Sequence, residues 1–205
     1  MGILERKERE REEMRKLILE AAQKLFLTNG YEKVSIRNIA DAIEYSPATI
    51  YLYFKDKNEL FFALHQQAFQ KLIAEFAPIA DVQDPMERLT AMGRLYIQFA
   101  FDNPELFDLM FIMTAPIDAL ECREDVWEDG HRAFFVLQNA VQHCIDAGVI
   151  RHPDAQQASL VIWSMVHGLT ALFLRKRMDM FGEANKKELM DNAYDLFVQT
   201  IRKGL

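Results

Sequence analysis

Between Ser35 and Phe54 the chain has room for two helices of about two turns each, separated only by Glu44 and Tyr45. Ser35 can cap the first, whose Ile36, Ile39, Ala40 and Ile43 follow the spacing of a buried helical face. Ser46 followed by Pro47 starts the second, because proline at the first helical position gives up no needed N–H. Helices this short are not stable alone. The pair must pack on a longer one, and a short helix, a tight turn and a second short helix braced in this way is helix-turn-helix architecture. A helical corner with no ligand is the plainer alternative.

The rest of the sequence supplies the brace and more. A first helix is expected from roughly residue 8 to Asn29, with Leu17, Ile18, Ala21, Leu25 and Phe26 on one side and Gly30 as its stop. Asp56 with Glu59 resembles a capping box and opens a fourth helix to about Phe76. Asp84-Pro85 opens one to about Phe101, and Asn103-Pro104 another to about Met113. A long helix lies between Leu120 and Ala147, ended by Gly148; Asp154 begins one to about Met178, and a last runs from Ala184 to Arg202. No stretch shows the alternation of a strand, so the fold expected is all-α: an N-terminal three-helix bundle with a helix-turn-helix, then a helical domain, about nine helices in total. We divide it at 1–56 and 57–205; "APIADVQDP" (77–85) is the clearest linker, and the fourth helix must bridge both parts.

Half of the residues are apolar, which excludes a disordered tail. The N-terminal 23 residues are rich in charge, unlike a signal peptide. The longest apolar run, Leu160 to Leu174, falls short of the roughly 20 residues that span a bilayer, so no membrane partner is expected. Cys122 and Cys144 stand alone, and a reducing cytoplasm is the simplest compartment. The net charge of −7 is unevenly spread: up to Lys57 there are 11 Lys+Arg against 10 Asp+Glu, and the remainder has 13 against 21. A near-neutral head on an acidic body is compatible with a small nucleic-acid-reading unit.

At about 100° per residue, Ile50 and Phe54 define the buried side of the third helix. Ala48, Thr49 and Leu52 fall opposite, with Tyr51 and Tyr53 at the edges and Lys55 and Lys57 just beyond. Small and methyl-bearing groups facing outward suit a DNA major groove and its thymine methyls. Flanking tyrosines and lysines suit phosphate oxygens on the groove walls.

"GYEKVSIRNIADAIEYSPATIYLYFKDKNEL" (30–60) resembles the DNA-binding head of the TetR/AcrR family of bacterial regulators. Gly30-Tyr31, Ser35, Ile39-Ala40, Ser46, Thr49-Ile50-Tyr51, Tyr53-Phe54, Lys55, Lys57 and Leu60 carry the likeness in order, over about 50 residues. Two positions depart from it. Glu44 replaces the usual turn glycine, which implies a different turn geometry, and Ala48 replaces a glycine before Thr49, which alters what can touch the bases. The resemblance implies Thr49 and Tyr53 in the groove, Tyr51 and Lys57 on phosphates, and Ser35 capping its helix beside another phosphate. Arg37 and Lys55 join them by charge and location, and Tyr45, Ser46, Pro47, Ala48 and Leu52 complete the DNA-facing set. With no Arg, Asn or Gln on the outward face, sequence preference is expected from methyl contacts and DNA shape.

In the body, "LVIWSMVHGLTALFL" (160–174) is apolar around its circumference and must be covered on every side. With the last helix it is expected to build a two-fold dimer through Met165, Leu169, Phe173, Leu189, Ala193, Phe197 and Ile201, in agreement with the resemblance; completing a monomer core is the alternative. Aromatic and methionine bulk at Phe107, Met110, Phe111, Phe134, Leu137 and Trp163, with His167, is the candidate lining for a small apolar effector. The histidines and cysteines lack metal-site spacing, and no nucleophile or phosphate-loop motif occurs, so neither metal, cofactor nor enzymatic activity is expected. The expected function is a repressor released from a pseudo-palindromic operator by that effector. A carrier for hydrophobic molecules, with the head as scaffold only, is the rival.

Overall fold

The computed structural model describes residues 2–113, 128–182 and 184–204. Among them are nine α-helices and no strand: α1 Ile3–Asn29, α2 Ile36–Ala42, α3 Pro47–Tyr51, α4 Lys57–Glu75, α5 Pro85–Asp102, α6 Pro104–Phe111, α7 Glu128–Asp146, α8 Ala155–Leu174 and α9 Lys186–Gly204. The all-α expectation holds. Cys122 and the start expected for α7, between Leu120 and Trp127, lie outside the described residues.

Two compact units form, Met1–Ala68 with Glu105–Trp127 and Phe69–Pro104 with Glu128–Leu205. The chain passes between them three times: inside α4, at the start of α6 between Pro104 and Glu105, and between Trp127 and Glu128.

In the first unit, α1 packs on α2 and α2 on α3. The buried side of α1 is Ile18, Leu19, Ala22 and Phe26, turned from the expected side, which leaves Leu17 exposed. The cause is aromatic packing. Phe26, Tyr31 and Phe61 form a cluster with centroids 5.3 to 6.2 Å apart, and the α1 face that meets it is the one ending at Phe26. The α4 start departs slightly from the box expected: Asp56 Oδ1 accepts from the Glu59 N–H, but Glu59 reaches back to the N–H of Lys55. Glu44 has φ 61°, in the left-handed region that glycine favours. The turn geometry associated with glycine therefore persists, with a glutamate accepting its strain.

In the second unit, α7 packs on α5 and α8, and α9 on α8. Asp84 and Asp154 cap α5 and α8 as their sequences promise. Helix α8 ends at Leu174, short of the expected Met178, because Lys176 turns left-handed and a 3₁₀ turn follows at Asp179–Phe181. At its other end it begins before the apolar run, and its 20 residues, with a mean hydropathy of 1.4 over the most apolar window, are long and apolar enough to cross a membrane. The length argument against spanning thus does not hold for the helix as formed. Its buried hydroxyls, Ser159 and Thr170, donate to carbonyls one turn back.

Helices α5 and α9 meet at Gly93. A Cβ there would stand 3.0 Å from two ring carbons of Tyr194 and closer still to its hydroxyl, which donates to the Thr90 carbonyl at 2.7 Å. Burial, with Asp195 adding to it and Arg94 opposing, pushes the Tyr194 phenol from 10.0 up to about 12.

Gly93→Ala is expected to force Tyr194 out and cost about 1–3 kcal/mol, measured by urea unfolding. Because the folded phenol holds its proton more tightly than the unfolded one, its stabilising contribution is complete below pH 10 and lost as pH rises toward about 12. Tyr194→Phe should flatten that alkaline loss. Glu44→Gly should raise stability by about 1 kcal/mol in the same assay.

Candidate nucleic-acid interface

Helix α3, five residues long, is shorter than the two turns its sequence suggests. Ser46 Oγ accepts from the Thr49 N–H at 3.3 Å and lies 3.1 Å from the Thr49 hydroxyl, with Pro47 in the first turn. Regular helix ends at Tyr51, after which the Tyr53 and Phe54 N–H groups both donate to the Ile50 carbonyl. That final turn swings Phe54 beside Ile50, and both are wholly buried.

The opposite side is open. Leu52 is 75% exposed and Tyr51 56%, Ala48, Tyr45, Ser46 and Lys55 are exposed, and Pro47, Thr49 and Tyr53 are half-buried. Ser35 caps α2 through the Asn38 N–H while Asn38 Oδ1 accepts from the Ser35 N–H, so this cap is reciprocal. Arg37, one position into α2, is exposed.

Lys57, expected on a phosphate, is also engaged inside the head. Its ammonium donates to the Tyr31 carbonyl at 2.9 Å and lies 4.0 Å from the centre of the Tyr31 ring, while the Tyr31 hydroxyl donates to Asn58 Oδ1. Burial first, then Glu32 and Asp56, raise the Tyr31 phenol from 10.0 to about 12. Lys57 and Tyr31 thereby tie the Gly30 turn to the start of α4. The matching signal was the spacing of Tyr31 and Lys57 in the motif, which reads equally as an internal tie.

The candidate effector residues divide between the units. Phe107 and Met110 are buried and Phe111 half-buried on α6 in the first, with the Phe107 and Phe111 rings 5.3 Å apart. In the second, Phe134 of α7 meets Trp163 at 6.1 Å and Trp163 meets His167 at 5.8 Å; Leu137 is half-buried on α7. Sequence reasoning missed Tyr96, whose hydroxyl lies 2.8 Å from His167 Nδ1. Its signal was a tyrosine on the buried face of α5, where a phenol needs a partner. Burial pushes the Tyr96 phenol far above its ordinary range and lowers the His167 imidazole, so both are neutral at pH 7.

Of the candidate dimer residues, Met165 and Leu189 are exposed and Leu169, Phe173 and Ala193 half-buried, Phe173 stacking on Phe101 at 4.6 Å. Phe197 and Ile201 are buried within their own chain. The large exposed apolar positions on these helices are Leu160, Val161, Met165 and Leu172 on α8 and Leu189 and Leu196 on α9.

Lys57→Ala is expected to lower stability by about 1–3 kcal/mol, since it removes a charged hydrogen bond from a half-buried carbonyl, read from the urea midpoint. A pure phosphate contact would leave that midpoint unchanged.

Residues 18–64 match the family described as bacterial regulatory proteins, tetR family, and residues 89–197 match the tetracyclin repressor-like C-terminal domain. An HTH-type transcriptional regulator of Staphylococcus aureus is 34% identical over 95 residues, 46% of this chain and 51% of that protein. An HTH-type transcriptional repressor of Mycobacterium tuberculosis is 37% identical over 60 residues, 29% and 32% of the two chains. The chain thus spans about half the length of the first of these relatives and a third of the second. Among solved structures, the TetR family transcriptional regulator PfmR from Thermus thermophilus superposes with a TM-score of 0.70 at 26% identity, over 92% of this chain and 98% of that one. The fatty acid degradation regulator FadR from Bacillus halodurans shares the fold, with a TM-score of 0.74 at 17% identity over 90% and 94%. Two successive family matches, the second covering more than half of the sequence, on a helix-turn-helix head and a helical body show that this chain belongs to the TetR family of bacterial regulators.

Proposed function

We propose that the protein is a cytoplasmic DNA-binding transcriptional regulator that acts as a homodimeric repressor and leaves its operator when a small apolar effector binds the body. The observation that carries this reading is the open side of α3. Helix α3 and its following turn, with Ile50 and Phe54 sunk in the core and Ala48, Thr49 and Leu52 on the other side, present methyl and hydroxyl groups sized for a major groove. Tyr51 and Lys55 at its rim, with Arg37 on α2, are exposed donors for phosphates.

Dimerisation is supported by the exposed apolar stripes of α8 and α9, since soluble monomers rarely leave such faces bare. Two heads related by a two-fold axis would meet half-sites about 34 to 36 Å apart. The effector reading rests on aromatic bulk around the Tyr96–His167 pair, where an apolar molecule with one hydrogen-bonding group finds both kinds of partner. Release requires an effector that binds the DNA-free state more tightly than the bound one. Helix α4 is one of the covalent routes, because it supplies residues up to Ala68 to one unit and from Phe69 onward to the other.

Footprinting of the full chain on its own upstream DNA should reveal a protected pseudo-palindrome whose affinity falls steeply with salt. Thr49→Ala should relax discrimination between base pairs by less than the about 1–3 kcal/mol of a bidentate contact, and Tyr51→Phe should weaken all sites alike. A hydrophobic-molecule carrier would show no salt-dependent duplex binding, and that result would remove the proposal.

A further inference from the structure

Helix α1 is longer than a head brace requires. It is first buried at Ile18, and everything from Leu4 to Glu13 is exposed, so more than two turns stand clear of the core. The charges on this overhang are sorted by face. Arg6 pairs with Glu10 at 2.7 Å and Arg9 with Glu13 at 3.7 Å on one side. Lys7, Arg11 and Arg15 recur every four residues on another, each about 40° round from the last. Lys7 and Arg11 have no side-chain partner among the described residues, while the Arg15 guanidinium lies 4.6 Å over the Phe54 ring, at the C-terminal end of the α3 turn.

That last contact fixes the direction of the stripe. Arg15 marks where α1 passes the end of α3; Arg11 lies about 6 Å and Lys7 about 12 Å further out on the same face. Glu8 and Glu12 flank the stripe about 60° and 100° from Arg11, which leaves the two cations, not the helix as a whole, as the attractive feature.

The geometry points to a second DNA contact: Lys7 and Arg11 of α1 bind the sugar–phosphate backbone flanking the site that α3 reads, with Arg15 as the residue that positions the overhang. This rests on the proposed function. It adds phosphate affinity outside the helix-turn-helix, to a head whose own cation at Lys57 is engaged internally. The contact carries no base information.

The test uses the full chain and two duplexes made from its footprinted upstream site, one cut at the ends of the α3-read site and one with about one extra helical turn on each side. Lys7→Gln/Arg11→Gln keeps helix-forming residues and should bind the long duplex roughly tenfold more weakly than wild type, with a salt slope shallower by about 0.9 per lost contact. On the short duplex the two proteins should agree. Arg6→Gln/Arg9→Gln, which removes the same charge from the paired face, should bind both duplexes like wild type. Equal affinity and slope for wild type and the Lys7/Arg11 variant on the long duplex would overturn the inference, as would an equal loss in the Arg6/Arg9 control. Wild-type binding abolished by Thr49→Ala/Tyr51→Ala shows that the head still reads DNA in either case, so the two ideas fail separately. A wild-type chain that binds neither duplex overturns both.

Discussion

The burial of Ile50 and Phe54 holds everything that α3 can do. A five-residue helix has almost no stability of its own, because nucleation fixes several residues before hydrogen bonds accumulate. Its orientation must come from side chains sunk in the head. Each of these two, fully removed from water, contributes on the order of 1.5–3 kcal/mol. The Arg15 guanidinium over the Phe54 ring seals the same point from α1. Since Ile50 and Phe54 lie one turn apart, they fix both rotation and tilt, and the outward direction of Ala48, Thr49 and Leu52 follows from geometry alone.

This explains which parts of the head were readable in sequence. Caps at Ser35, Ser46, Asp84 and Asp154 depend on neighbours within three residues, and all four form as read. The buried pair of α3 also follows from local periodicity. The expected side of α1 misgroups Leu17: at about 100° per residue it lies opposite Phe26, while Leu19 lies about 20° from Phe26 on the side that meets Tyr31 and Phe61. What was not legible depends on partners distant in sequence. Lys57 looks like a surface cation beside a helix start, and its inward turn requires a carbonyl 26 residues earlier.

The body shows the same limit more sharply. Apolar faces of α8 and α9 were legible as stripes, but periodicity cannot say whether a stripe meets its own chain or another. Phe197 and Ile201 went inward with Met190 and Tyr194, leaving Leu189 and Leu196 outside. Tyr194 itself is admitted only because position 93 lacks a side chain, a complementarity between residues 101 apart that no local pattern encodes. The Tyr96–His167 pair is of this kind as well. Each residue alone reads as core, and together they place a neutral hydrogen-bonding couple among aromatic rings.

The weak polarity of the α3 face makes the exposed stripes of α8 and α9 consequential. A face built of Ala48, Thr49 and Leu52 offers methyl and van der Waals surface but lacks the bidentate donors that give the largest discrimination per base pair. The head is nearly neutral, so one copy also gathers few phosphates, and the acidic remainder of the chain opposes the approach of a polyanion. Selectivity built from such small terms reaches a useful size only by summation over two half-sites held at fixed spacing, since linking the heads makes the second binding event intramolecular. A second copy on the bare apolar stripes, as proposed, would supply that linkage. In this chain the hydrophobic surface far along the sequence is therefore what would turn a marginal reader of DNA into a specific one.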